Sequence, residues 1–350
     1  MMIDNHILLL TPGFPKDEND FLCTPPVQDF LIKYKSEFPN TKFSVIAFQY
    51  PYKKINYVWN DIDVYALGGK NMQTKKFLIW NEAIKTVKAI NKNSPIDVIH
   101  SLWFGECALV GNYLAKKINC NHICTLMGQD VKPSNYYLKF LNKKRVKVVS
   151  LSENLSKQYY QIAKRKIDFE IFWGIDNQIF NTENTRKIEL LAVGSLIPIK
   201  NYKLFIKVIA QAVNIFPNLV SKLVGDGPEL SVLKIMAAQY GIEKNIEFMG
   251  VLSRKKIFTL MQQSKIFVHP SKFEGSGFVF AEALVNGMNI ISFNVGYAKP
   301  SDKWFVAKDE NDFVLLANQL LQNNLNYNPV NIFPISETVN RYKQLYNVGF

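Results

Sequence analysis

Two glutamates eight residues apart, Glu274 and Glu282, bracket a Gly275-Ser276-Gly277 turn within Phe267 to Gly287, FVHPSKFEGSGFVFAEALVNG. The pattern predicts a strand ending at His269-Pro270 and a helix over Phe278 to Val285, closed by Asn286-Gly287. Such a turn aims the unpaired backbone N–H groups of Gly277, Phe278 and Val279, with the positive end of the helix dipole, at a phosphate. One carboxylate in the turn and one on the helix can each accept hydrogen bonds from vicinal hydroxyls of a sugar. The plain alternative has Glu274 offsetting the helix dipole and Glu282 facing solvent. The apolar residues around Glu282 place it instead on a largely buried helix, where an unpaired carboxylate is costly, and this favours contact with a ligand.

Two further turns fall at strand ends in the same half. In LAVGSLIPIK (191 to 200), Gly194 permits close approach of a backbone and Lys200 supplies a point charge for a diphosphate. In LVGDGPEL (223 to 230) a tight turn leads into a helix. Each is weak alone, since a GDGP is ordinarily only a turn and an isolated lysine ordinarily lies on the surface. Cys120-Asn-His122-Ile-Cys124 is the nearest approach to a metal cluster, but it lacks a second ligand pair and alternates into an apolar stretch, so it reads as a buried strand. No metal is expected.

These residues need a scaffold, and the chain supplies short apolar runs alternating with helical patterns, as a parallel sheet with crossover helices requires. Strands are predicted at 6–10, 42–48, 64–67, 98–101, 122–127 and 146–150, with helices such as 74–91 and 105–118 between them. After the polar stretch Asn181 to Arg186 a second series opens at 188–193 and continues at 219–224, 246–248, 266–269 and 289–293. The reading is two doubly wound, Rossmann-like α/β domains, 1–180 and 187–330, facing one cleft, with a final helix near 335–350. A length of 350 residues accommodates both cores.

Composition narrows the classes. No segment approaches a bilayer-spanning run, and the amino terminus reads as a first strand rather than a signal peptide, so a cytoplasmic place is expected. The formal charge of +13 favours phosphates, nucleic acid or an anionic membrane face. Its plain reading is a solvated lysine surface; its functional reading is weak peripheral attachment to the inner face of a membrane. A nucleic-acid partner is not expected, because neither an aromatic stacking platform nor a basic recognition helix is evident. Cys23, Cys107, Cys120 and Cys124 read as reduced thiols.

In order and spacing, GSLIPIKN (194 to 201), VGDGPEL (224 to 230), IEFMGVL (246 to 252) and EGSGFVFAE (274 to 282) resemble the retaining GT-B glycosyltransferases of the nucleotide-sugar family 4, also called glycosyltransferase group 1. The last segment carries that family's E-x7-E pattern. The likeness extends more loosely to TPGFP (11 to 15), DVIHSLW (97 to 103), TLMGQD (125 to 130), VVSLSENL (148 to 155), WGID (173 to 176) followed by Phe180, and the closing SETVNRYKQLY (336 to 346).

The resemblance implies a sugar transferred with retention from a nucleotide-sugar to a saccharide or lipid-linked acceptor, in bacterial surface polysaccharide assembly, without a cofactor. It implies Glu274 on the donor sugar, Glu282 on the ribose, Lys200 on the diphosphate and Gly277, Phe278 and Val279 on phosphate or sugar oxygens. Gly250 would lie beside the base, Gly194 and Ser195 at the donor, and Gly13 near the phosphates across the cleft. Glu274 and Lys200 are the expected catalytic pair. Two positions depart from the pattern: Ser195 stands where an Arg is frequent, and Met127 where a His is usual. Either Gln129 or Asp130 substitutes for that His or the site manages without it; His100 is a second candidate, although a lone histidine at a strand end is more often structural. The rival reading is a non-catalytic nucleotide-sugar binder with a degenerate site. Acceptor contacts are expected in the loops 16–26 and 135–137.

Overall fold

A computed structural model describes residues 5–140, 145–177 and 185–348. Residues 1–4 of the first-strand reading, the lysine run at 142–144 and the linker positions 178–184, with Phe180, lie outside the described residues. The chain separates into two compact units, one reaching Gly174 and resuming at Ile335, the other running from Ile175 to Pro334.

The first unit runs β1 (His6–Gly13), α1 (Pro25–Glu37), β2 (Lys42–Tyr50), β3 (Ile55–Trp59), β4 (Ile62–Ala66), α2 (Lys76–Asn93), β5 (Val98–Leu102), α3 (Glu106–Ile118), β6 (Asn121–Thr125), α4 (Tyr137–Phe140), β7 (Val146–Ser150), α5 (Glu153–Ala163) and β8 (Phe169–Glu170). Its sheet has the order β3-β4-β2-β1-β5-β6-β7-β8, parallel except where β3 runs against β4. Central strands such as β1 and β5 are buried along nearly their whole length, which is why they read as unbroken apolar runs. The edge strand β3 is mostly exposed and escaped the sequence reading. Its signal was the turn Asn60-Asp61, both at positive φ as a two-residue hairpin requires. Helix α1 was also missed, although Pro25 at its first position is well suited to a helix start.

The second unit runs β9 (Ile188–Val193), α6 (Tyr202–Ala212), β10 (Ser221–Val224), α7 (Leu230–Gln239), β11 (Ile246–Gly250), α8 (Arg254–Gln262), β12 (Ser264–His269), α9 (Phe278–Val285), β13 (Asn289–Phe293), β14 (Trp304–Ala307) and α10 (Glu310–Gln322). Its strands are parallel in the order β11-β10-β9-β12-β13-β14. Leu190, Leu223, Ile266 and Ile291 from the sheet pack with Phe205, Ile209 and Phe313 from α6 and α10 in one core. Both sheets are therefore doubly wound. Chain order reverses between β1 and β5 in one and between β9 and β12 in the other, and ligands of such sheets bind beyond the strand ends at those reversals.

The last helix, α11 (Ile335–Asn347), belongs to the first unit and packs against α1. Its Tyr342 stacks on Trp173 with ring centres 5.6 Å apart, and its hydroxyl lies 2.8 Å from Thr125 Oγ1. The Tyr346 hydroxyl lies 2.8 Å from His100 Nδ1.

Beyond β9 and β10, a Cβ added to Gly225 would fall 1.9 Å from the Gly194 carbonyl oxygen, and Gly225 has φ of +135°. Gly225→Ala is therefore expected to lose about 3 kcal/mol or more in urea unfolding. Gly13→Ala, whose Cβ would meet only Tyr50 Cβ at 3.5 Å and Cys23 Sγ at 3.6 Å, is expected to stay within about 1 kcal/mol of the parent. Equal midpoints for Gly225→Ala and the parent would show that these two turns do not press together.

Candidate functional site

In the second unit the reversal point is occupied by a buried charge. Glu274, in the turn between β12 and α9, receives Lys200 Nζ at 2.5 Å and His269 Nε2 at 2.7 Å, both on Oε1. Lys200 ends a short 3-10 turn after β9, and His269 is the last residue of β12. Two hydrogen bonds fasten the turns together, since Ser271 Oγ and Lys272 N–H both donate to the Ile199 carbonyl. Burial alone raises the Glu274 pKa, but the hydrogen bond and charge of His269 and then the charge of Lys200 outweigh it and hold the carboxyl near 2. Burial pushes His269 below its ordinary value, against the opposing pull of that carboxylate. The buried His269 Nδ1 has no partner among the described residues. Glu274 is thus an ionised acceptor rather than an acid.

Helix α9 begins as the sequence predicts, at Phe278 after Gly277, whose φ of +71° turns the chain into the helix. The first intrahelical bond runs from Phe280 N–H to Gly277 O, so the preceding N–H groups have no acceptor within the helix. Glu282, one turn in, is not the unpaired carboxylate that the sequence suggested. Arg254 Nε, from the first turn of α8, donates to its Oε1 at 2.8 Å, and the guanidinium also lies 5.1 Å from the Phe258 ring and 5.5 Å from Phe278. Nothing in a separation of 28 residues marked the pair in the sequence. His269 had more of a signal, as a strand-end histidine five residues before Glu274.

Other positions divide. Lys200 is largely buried and ion-paired rather than an exposed lysine. The close approach at Gly194 is made by Gly225 of the adjacent turn and not left open for a ligand. Ser195 is exposed beside it. Gly250, with φ of +63° and open space where a Cβ would stand, closes β11, and its carbonyl accepts from Gly225 N–H. Gly250 and Gly194 are thus joined through the Gly225 turn.

In the first unit a cavity of about 350 Å³ opens at the β1/β5 reversal, lined by Pro12, Trp103, Glu106, Gln129, Asp130 and Tyr137 among others. Trp103 holds φ of +64°, a strained conformation for a bulky residue and a feature common at binding sites. Asp130 is buried and accepts from the N–H groups of Phe104, Met127 and Gly128 at 2.6 to 3.0 Å, which makes it the organiser of its loop; burial raises its carboxyl above the usual range. Glu106 is likewise engaged, by Gln49 Nε2 and Trp80 Nε1. Exposed Gln129 faces the cavity, whereas Met127 is half-buried beside Gly128. For His100 the structural reading holds and the reaction-centre candidacy does not. It is fully buried between Tyr346 and Thr125, and burial drops its pKa to about 3, so it anchors α11 rather than serving a reaction. Cys120, His122 and Cys124 lie on or beside β6, and no metal-like cluster of three ligands occurs among the described residues. No helix among them is long and apolar enough to cross a membrane.

Residues 175–324 match the model of the family Glycosyl transferases group 1. Over 220 residues the chain is 27% identical to an uncharacterised glycosyltransferase of Methanocaldococcus jannaschii, a match that takes in 61% of this chain and 60% of that protein. A Bacillus subtilis glycosyltransferase is 31% identical over 109 residues, 31% of this chain and 30% of its own length. The chain thus spans less than two thirds of the length of these curated relatives. Among solved structures, Anabaena HepE in complex with UDP and glucose is similar with a TM-score of 0.70 at 16% identity, over 98% of this chain and 95% of that one. Sucrose-phosphate synthase of Thermosynechococcus elongatus gives 0.71 at 14% identity, over 98% of each chain. The chain therefore has the GT-B fold, and its residues 175–324 resemble the glycosyl transferases group 1.

Proposed function

We propose that this protein is a retaining glycosyltransferase that moves a sugar from a nucleotide-sugar donor to a saccharide or lipid-linked acceptor, in assembly of a surface polysaccharide. The observation that carries the reading is the Lys200–Glu274 pair at the β9/β12 reversal, set against the start of α9. UDP is the nucleotide to test first, because HepE was solved with UDP and glucose. The ionised Glu274 suits acceptance of hydrogen bonds from hydroxyls of the donor sugar. The Lys200 ammonium and the N–H groups of Gly277, Phe278 and Val279 suit charge that develops on the departing diphosphate, where fixed dipoles act most strongly. Glu282 takes the ribose hydroxyls and shares its carboxylate with Arg254, which fixes its direction before the nucleotide arrives. No step in this reading calls for a metal or cofactor.

Calorimetry with UDP separates the two carboxylates. A hydrogen bond to a charged group is worth about 1.5 to 3 kcal/mol, so Glu282→Ala is expected to weaken UDP by roughly 10- to 150-fold. Glu274→Ala is expected to spare UDP while lowering transfer, and Lys200→Ala to lower turnover by about two to three orders of magnitude. If Glu282→Ala binds UDP as the parent does, the ribose assignment is wrong; if UDP binds the parent but no UDP-sugar turns over, a non-catalytic binder replaces the enzyme.

Protonation gives an independent check on Glu274. Its folded carboxyl titrates near 2 against an ordinary 4.5, so its contribution to stability is complete above pH 4.5 and is lost as the pH falls toward 2. Urea midpoints of the parent and of Glu274→Gln are expected to differ most at neutral pH and to converge in acid. A gap that stays constant down to about pH 3 would mean that Glu274 is not held ionised.

A further inference from the structure

The two donors that reach Glu274 do so on the same atom. Lys200 Nζ and His269 Nε2 both meet Oε1, and no hydrogen bond from the described residues falls on Oε2. The side chain is 12% exposed, so its carboxylate is withdrawn from water but not sealed. A buried carboxylate placed only for stability gains most when both oxygens are satisfied, since acceptors left without a donor cost free energy. Crowding both donors onto one oxygen leaves the second as an acceptor whose direction is already set.

Of the two donors, the ring is the one able to set that direction. The Lys200 ammonium is a point charge on a flexible stem and attracts a carboxylate from a wide range of angles. The His269 imidazole is planar and wedged. It stacks on Phe267, with ring centres 5.7 Å apart and planes at 17°, and meets Phe280 at 4.9 Å and 82°. Phe280 belongs to the first turn of α9, packs on Trp304 at 4.6 Å, and lies so close to Gly277 that a Cβ there would fall 2.5 Å from its Cε2. Trp304 is fastened in turn, its Nε1–H donating to Ser292 Oγ at 2.8 Å. The ring thus sits between the end of β12 and the beginning of α9 and ties the bearing of the Glu274 carboxylate to that of the helix.

The histidine also carries a cost that a space-filling residue would not. It is 1% exposed, and its Nδ1 has no partner among the described residues. Nε2 must carry the hydrogen that bridges to an ionised carboxylate, and a second proton, on Nδ1, would find no acceptor. One directed N–H is what the position gains over a leucine or a phenylalanine. We infer that His269 is a positioning residue for transfer: it pins Glu274 through Oε1 so that Oε2 is presented to a hydroxyl of the donor sugar. This rests on the glycosyl-transfer reading and extends it to a residue that touches no substrate.

Three substitutions in the full chain separate the roles. His269→Phe keeps a flat ring against Phe267 and Phe280 but removes the N–H, His269→Gln returns an amide N–H near the place of Nε2, and His269→Asn carries an amide too short to reach it. With the UDP-sugar that the parent turns over, His269→Phe and His269→Asn are expected to lower kcat about 10- to 100-fold, the scale of a slightly misplaced reacting group, while the Kd for UDP stays within about twofold. His269→Gln is expected to recover most of the loss. A phenylalanine variant with the parent's kcat, a glutamine variant as slow as the phenylalanine one, or UDP affinity that falls in step with kcat overturns the positioning role.

Acid titration supplies a readout that packing alone does not move. The groups acting on the Glu274 carboxyl are His269 and Lys200, with the buried Tyr202 hydroxyl nearby. Loss of the His269 donor lets that carboxyl rise from near 2. The stability gap between a protein and its Glu274→Gln counterpart is therefore expected to be smaller at neutral pH, and to close at higher pH, in the His269→Phe background than in the parent. The same closing pH in both backgrounds overturns the hold on Glu274. If the parent binds UDP but consumes no UDP-sugar, the glycosyl-transfer reading falls, and the acid comparison by itself decides whether His269 sets the carboxylate.

Discussion

A carboxylate withdrawn from water must be compensated, and the second unit is organised around that requirement at Glu274. The group is nearly buried, and its compensation comes from two different strand ends, Lys200 after β9 and His269 at the end of β12. Satisfying it therefore joins the two turns that flank the sheet reversal. The Ile199 carbonyl strengthens the join by accepting from Ser271 and Lys272. The same arrangement holds a lysine against the turn that leads into α9. Removing Glu274 leaves Lys200 without its ion pair, whereas removing Lys200 leaves Glu274 with the His269 hydrogen bond alone, so positioning and stability are coupled at this pair.

The first unit solves a similar problem by a different route. Asp130 sits at its own sheet reversal but is held by three backbone N–H groups rather than by a cation. A carboxylate satisfied in this way fixes the loop and is poorly placed to take up further hydrogen bonds. Glu106 is similarly taken up by Gln49 and Trp80. The wall also carries groups not taken up in this way, among them the amide of Gln129, the rings of Trp103 and Tyr137 and the ammonium groups of Lys76 and Lys132. The loop does not depend on a histidine at position 127, since the half-buried Met127 contributes its backbone N–H to Asp130 whatever its side chain.

Much of the fold was legible because buried parallel strands are written as apolar runs, and α9 because its start and stop residues coincide with the turn chemistry they require. Edge elements were not legible: β3 is mostly exposed and β8 spans only Phe169–Glu170, so neither carries a run. At the site, the residues with local signatures, Glu274, Glu282, Lys200 and Gly277, could be named, whereas the partners that decide their behaviour could not. Arg254 reaches Glu282 from another helix, and the spacing of the two in the chain says nothing about it. His100 was open to two readings in the sequence. A strand-end histidine resembles a functional one until tertiary packing shows both ring nitrogens engaged, by Tyr346 from the far end of the chain and by Thr125.

The basic balance of the sequence is also not a single property. Part of it is interior and structural, most clearly at the carboxyl end of α9. Arg186 donates to the carbonyls of Met261 and Asn286, and Lys303 to those of Gly287, Asn326 and Asn328. Burial lowers Lys303 to about 8, a sign of how much water it has given up to hold these oxygens. Two cations at a helix carboxyl terminus satisfy orphan carbonyls and oppose the negative end of the dipole. They also fix the asparagine-rich segment that follows α10 against that end, through Asn326 and Asn328. Helix α9 is thus braced behind by buried cations and in front by the Glu282–Arg254 pair and the Glu274 turn. The direction in which its first N–H groups point is set by charges at both ends, although the helix itself reads as almost wholly apolar.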